Sequence, residues 1–284
     1  MNDQSGTILL SILRAAFPAS VPLLFAALGG LFSELSGMLN IALEGLMGAG
    51  AFFGMAAALA TGSRLAGLAG ALAAAGLAAW IMGTVTLRVR ANIFITGLAL
   101  NLAVSGLTTF LSQLWFGTKA VVNVPLPPLS KQAYTAVIIA AAAAWICCSA
   151  LVLHGTTFGI RLRATGMNPT AMTALGHDPD RYKLAALLIS GMASAAGGYI
   201  LALSVSAYVP NIVSGRGWIA LVAIYLGKRR PLAVAASCLL FALAESASNY
   251  LQGVGGMSPL IMLALPYLVT LISLVLGTGA RQRR

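Results

Sequence analysis

The sequence has little charge and almost no acid. Six Asp and Glu against seventeen Lys and Arg leave charged residues at 8% of 284, too few for the surface of an ordinary soluble domain. Only two histidines are present, His154 and His177, and neither HExxH nor GxSxG occurs, which disfavours a membrane-embedded enzyme built on zinc or a serine nucleophile. GxxxxGK[S/T] is also missing, since Gly227-Lys228 is followed by Arg229; the chain cannot cradle ATP phosphates by that loop. Cys147, Cys148 and Cys238 sit inside apolar segments with neither metal-ligand spacing nor a disulfide framework. The opening MNDQSGTILLSILR lacks the basic start and small-residue cleavage site of a signal peptide.

What fills the chain instead is apolar sequence. Hydrophobic residues make up 59% and the mean hydropathy is +0.92, which places the protein among polytopic membrane proteins. The apolar segments run approximately 15–32, 39–60, 65–87, 93–112, 133–153, 184–207, 217–227, 232–251 and 259–277. They are long and lack strict alternation, so the expected fold is all-α, a transmembrane helix bundle of about eight to ten spans with some helices discontinuous. Residues 1–284 are read as a single transmembrane domain, without room for a separate soluble one.

The basic residues gather in short clusters at segment ends rather than on a continuous basic surface, the positive-inside pattern and not a nucleic-acid footprint. Alternating the segments puts Arg88, Arg90, Arg161, Arg163, Arg181, Lys183, Lys228, Arg229, Arg230, Arg281, Arg283 and Arg284 on the cytoplasmic side. Arg64, Lys119, Lys131 and Arg216 fall outside. The C-terminus is then cytoplasmic.

Three stretches depart from plain apolar helix. Segment 217–227 covers only about 16 Å at the helical rise, half the hydrocarbon thickness. The preceding PNIVSGRG, Pro210 to Gly217, is then irregular backbone at membrane depth, tolerated only in contact with protein or a wet cavity. In SELSGMLNIALEG, Glu34, Asn40 and Glu44 interrupt an apolar region, and such groups mark a pathway or an interhelical hydrogen bond. The third, 157–183, is the longest polar run and reads as a cytoplasmic loop. Asn168-Pro169 signals a helix start and Gly176 a stop. The spacing predicts a helix over 169–175 with Ala171, Met172, Ala174 and Leu175 on one side. Asp178-Pro179 repeats the start signal for the next long helix.

Four stretches resemble the integral-membrane permease subunits of ABC importers, in the branch that includes branched-chain amino acid, ribose and nucleoside permeases, and most of all the nucleoside type. They are SGMLNIALEG at 36–45, ANIFITGLALNL at 91–102, TTFGIRLRATGMNPTAMTALGHDPDRYK at 156–183 and SGRGWIALVAIYLGKRRP at 214–231. Met167 stands where the pattern leads one to expect a glutamate, and His177 where it leads one to expect an aliphatic residue. The resemblance implies a multi-pass protein of the bacterial inner membrane, working with two cytoplasmic ATPase subunits, a second permease subunit of the same or a related chain, and an extracytoplasmic solute-binding protein. It implies no cofactor on this chain, which would not itself be an enzyme; ATP is used by the partner. The solute it suggests is a nucleoside, with riboflavin, a simple sugar or a branched-chain amino acid as alternatives.

On this reading Asn168, Pro169, Ala171, Met172, Ala174, Leu175 and Gly176 form the element that couples to the ATPase, Met172 and Leu175 entering a groove on it. The alternative is a helix lying on the bilayer surface. Candidates for the solute pathway are Asn40, Glu44, Asn92, Asn101, Asn211 and Arg216. Asn92 can equally cap a helix, Arg216 can snorkel to the outer interface, and Glu245 can serve as an interhelical partner. A self-contained secondary transporter or channel would also show broken helices and buried carboxylates.

Overall fold

The computed structural model describes residues 2–126 and 130–254. Among them run ten helices: α1 Asn2–Leu35, α2 Leu43–Thr61, α3 Arg64–Arg88, α4 Ile93–Phe116, α5 Lys131–Gly155, α6 Thr157–Met167, α7 Pro169–Ala174, α8 Pro179–Ser204, α9 Arg216–Leu226 and α10 Pro231–Val254. Two short strands, β1 Val122–Asn123 and β2 Ala207–Tyr208, pair antiparallel. Seven of the helices are long and apolar enough to cross a membrane: α1 from Leu10, α2, α3, α4, α5, α8, and α10 as far as Tyr250. The fold is an all-α polytopic bundle. The ninth expected segment, 259–277, and Arg281, Arg283 and Arg284 lie outside the described residues.

Helix ends follow the local chemistry. Ser63, Ser130, Thr156, Asn168 and Asp178 each accept an N–H from the first turn of the helix they precede. Gly37 (φ 83) closes α1, its N–H donating to Glu34 O while Met38 N–H donates to Ser33 O, the paired bonds of a Schellman cap. Gly176 (φ 77) closes α7 in the same way, with His177 N–H on Met172 O.

Two expectations are corrected. The second apolar segment was expected to be helical from residue 39, but α2 begins at Leu43 and residues 36–42 are irregular, because Ser36 and Asn40 bond backbone groups in place of a helical ladder. The polar run before Asn168, read as loop, contains α6; Thr156 caps it by accepting Gly159 N–H at 3.1 Å, and its buried Leu162 anchors it. The expectation for 217–227 agrees with α9, eleven residues long and preceded by irregular backbone with positive φ at Ser206, Asn211, Ser214 and Gly215.

At the centre stands α8, packed against α1, α2 and α3. Small residues permit the approach: a Cβ on Gly198 would come within 1.9 Å of Met47 O, and one on Gly50 within 2.2 Å of Ala195 O. Backbone therefore meets backbone, the packing that van der Waals contact favours in a bilayer. One core cluster joins α1 to α5, α9 and α10 around Leu28, Leu31 and Phe32; a second joins α2, α3 and α8 around Phe52, Met55 and Tyr199. At one end of the bundle, Arg229 meets Glu34 and Gly166 of α6 meets Gly37. This basic end carries α6, α7 and the turn Lys228 to Arg230.

Candidate functional site

Two helices begin inside the bundle, α2 and α9, and their first turns face each other. A helix start leaves backbone N–H groups without partners in the helix, and burying one unmet costs about 1–3 kcal/mol. For α2 the partners arrive from outside it. Asn40 Oδ1 accepts from Ala42 N–H at 3.0 Å, and Asn101 Oδ1 on α4 accepts from Gly45 N–H at 2.7 Å while its Nδ2 donates to Ile41 O at 3.0 Å. For α9 the partner is a charge: Glu44 accepts Gly215 N–H on Oε1 at 2.8 Å and Gly217 N–H on Oε2 at 2.7 Å. A carboxylate at a helix N-terminus benefits both from charge-assisted bonds and from the helix dipole. The approach needs glycine on both sides, since a Cβ on Gly217 would meet Glu44 N at 2.3 Å and one on Gly45 would meet Asn101 Oδ1 at 2.8 Å.

Beside this junction lies a cavity of about 70 Å³ whose polar lining comes from Glu44, Asn101, Ser105, Thr108, Tyr208 and Asn211. That volume admits a few waters and is well short of the roughly 300 Å³ at which small-molecule sites begin. Apart from Glu44 these groups are neutral donors and acceptors, and both Glu44 oxygens are already committed to backbone N–H.

The six pathway candidates separate. Glu44, Asn101 and Asn211 come together at the cavity. Asn40 lies behind it, 1% exposed, with Nδ2 donating to Ser190 Oγ at 2.9 Å. Asn92 caps α4 by accepting Phe94 N–H at 2.9 Å, nine residues or about 14 Å along the helix from Asn101. Arg216 turns away: its guanidinium bonds the carboxylate of Glu245 on α10 and donates to Ile212 O and Val213 O at 3.3 Å. Its partner is thus Glu245, in an interhelical ion pair between α9 and α10. Ser105, Thr108 and Tyr208 were missed, although Asn101, Ser105, Thr108 and Ser112 recur every three or four residues along α4 and could have been read as one polar stripe.

A second candidate surface is the α6–α7 segment. Asn168 accepts Ala171 N–H at 3.1 Å and Pro169 opens α7. The grouping of Met172 with Leu175 on one outward face is corrected: Met172 is 3% exposed and points into the chain, whereas Leu175 is the C-cap and 74% exposed. The helix is so short that it needs its one large apolar residue to hold it to its own protein. The outward side is left to Ala171, Ala174 and Leu175, with exposed Met167 just before the cap.

Compared with known proteins, residues 12–274 match the family model described as branched-chain amino acid transport system / permease component. The chain belongs to this permease family. The permease is 32% identical to the guanosine ABC transporter permease protein NupQ of Bacillus subtilis, over 94% of this chain and 92% of that one. It is 35% identical to the nucleoside ABC transporter permease protein NupC of Lactococcus lactis, over 92% and 90%. A putative glucose ABC transporter permease protein of Haloferax volcanii, TsgC13, is 28% identical over 83% of this chain and 76% of its own. In fold, the permease is similar to PsaBC from Streptococcus pneumoniae solved with a Fab, with a TM-score of 0.50 at 17% identity over 92% of this chain and 90% of that one.

Proposed function

We propose that this permease forms the solute path of an ATP-driven ABC importer for nucleosides. The observation that carries the reading is the meeting of the first turns of α2 and the half-length α9, each preceded by irregular backbone, at a polar cavity, because irregular backbone between membrane helices persists only where protein or a wet path satisfies it. The neutral lining suits a neutral, hydroxyl-rich and amide-rich solute, whose groups Asn101, Ser105, Thr108, Tyr208 and Asn211 can exchange for water. A charged solute would call for an uncommitted opposite charge, and Glu44 is held by α9. The nucleoside and guanosine permeases among its relatives support the same class.

The basic end then faces the cytoplasm, with the C-terminus on that side, in the inner membrane of a bacterium. Its α6–α7 segment meets the ATPase subunits, and Glu44 and its neighbours pass solute delivered by an extracytoplasmic binding protein. At about 70 Å³ the cavity is too small for a nucleoside, so passage requires either movement of the α9 junction or a second permease subunit to complete the path. Neither ATP nor any cofactor is bound by this chain.

The test is reconstitution in liposomes with labelled guanosine or adenosine. ATP-dependent accumulation is expected only when the ATPase and a nucleoside-loaded binding protein are both supplied. Rapid flux through the isolated permease would replace this reading with that of a channel or secondary carrier.

A further inference from the structure

The eleven-residue helix α9 is held at both ends by carboxylates that lie ten residues apart in one stretch of chain. Glu44 accepts N–H groups from its first turn, and Glu34 pairs at 2.6 Å with Arg229, just past its last turn. Between the two glutamates is the turn at Gly37, and on this turn rests α6. A Cβ on Gly166 would lie 2.2 Å from Leu35 O and 2.9 Å from Gly37 N; one on Gly37 would lie 3.3 Å from Gly166 Cα. The contact is backbone on backbone, without a side chain to yield when α6 moves. The turn itself is stiff, fixed by Gly37 N–H on Glu34 O, Met38 N–H on Ser33 O and Ser36 Oγ–H on Ser33 O. Beyond it, Asn40 ties the connector to Ser190 of α8.

The geometry points to the Gly166–Gly37 seam as the joint through which the α6–α7 segment drives α9: displacement of α6 moves the Gly37 turn, and the turn carries α9 with it through Glu34 at one end and Glu44 at the other. Gly166 and Gly37 are positioning residues, and α9 is the part that reshapes the cavity. This inference rests on the ATP-driven reading above.

The experiment uses the full chain with its three native cysteines replaced, Ser105→Cys in the cavity wall as reporter, and the ATPase co-expressed. With the seam intact, the rate at which a small water-soluble thiol reagent labels the reporter is expected to change at least threefold between nucleotide-free and ATP-trapped complexes. Gly166→Ala should retain the ATPase on co-purification, lose the nucleotide dependence of labelling and, in the chain with Ser105 kept, lower ATP-driven uptake at least tenfold. Gly155→Ala, at the same end of the bundle but with nothing within 4 Å of its added Cβ, should behave as the parent. Should Gly166→Ala not be recovered from membranes, Gly37→Asn decides, because asparagine tolerates the left-handed backbone there and adds bulk at the seam; uptake at least threefold down is expected. Parent-like uptake or a parent-like labelling response in either variant overturns the seam. Failure of the unmodified chain to retain any ATPase overturns the functional reading and this inference with it.

Discussion

Arg229 and Glu34 face each other at 2.6 Å across the basic end, the carboxylate almost fully covered and the guanidinium half exposed. Removing the arginine leaves a covered charge without its partner, whereas removing both charges leaves little to satisfy. Arg229→Ala is expected to lower stability by about 1–2 kcal/mol, reduced from the fully buried case because water can reach the vacated side. Glu34→Gln in the same chain should restore part of the loss. Thermal unfolding in detergent of the two single variants and the double variant measures the coupling directly; strictly additive effects would show that the pair contributes nothing.

Glu44 uses each oxygen for a different N–H of α9. Glu44→Gln keeps one acceptor and turns the other position into a donor aimed at a donor, while Glu44→Ala leaves both N–H groups unmet. Relative to parent, uptake is expected to fall about tenfold for glutamine and further for alanine, since each lost charge-assisted bond is worth about 1.5–3 kcal/mol. Asp in its place is too short to span both donors and should not rescue. Initial uptake rates, normalised to the amount of complex in the membrane, provide the check.

Cavity accessibility separates Asn211 from Asn40, which sequence alone grouped together, and places Ser105 with Asn211. Single cysteines at Ser105 and Asn211 should react with a small water-soluble thiol reagent, and one at Asn40 should not, since Asn40 is 1% exposed and packed on Ser190. The native Cys147, Cys148 and Cys238 must be replaced first. Equal reactivity at Asn40 and Ser105 would show that the connector 36–42 is wet.

The pattern of segments was legible because long apolar runs and local caps are properties of neighbours in sequence. Asn168-Pro169, Asp178-Pro179 and Gly176 stand where the structure uses them, and the half-length of α9 showed in its residue count alone. What was not legible depends on partners far along the chain. Asn101 is 56 residues from Gly45, Glu44 is 171 from Gly215, and Asn40 is 150 from Ser190. Nothing near Asn40 distinguishes an amide that ties a connector to α8 from one that faces solute. Arg216 finds Glu245 only because α10 packs beside α9. Met172 was misplaced for another reason. A six-residue helix has too few positions for its apolar face to be read from spacing, and the side that turns inward is set by what it can rest on.

That correction changes how docking of α7 is to be tested. With Met172 inward, Ala174 lies about 200° around the helix from it, at 100° per residue, and so points outward with Leu175 and Ala171 beside it. An ATPase surface closing on this side would bury any group placed there. Ala174→Asp or Leu175→Asp would then bury a carboxylate without a partner at a cost of about 3–5 kcal/mol. Since 1.4 kcal/mol is tenfold in affinity, retention of the ATPase is expected to fall by about a hundredfold or more. Membrane insertion should be normal, because both side chains are exposed in the free chain. Thr173→Asp, a quarter-turn from the inward side, should be milder. Met172→Ala should act differently, loosening α7 from its own protein and lowering protection of the 168–176 amides from hydrogen exchange even without ATPase. If Ala174→Asp and Leu175→Asp both retain the ATPase and support uptake at the parent rate, α7 is a helix resting at the membrane surface, and coupling must pass through another part of the basic end.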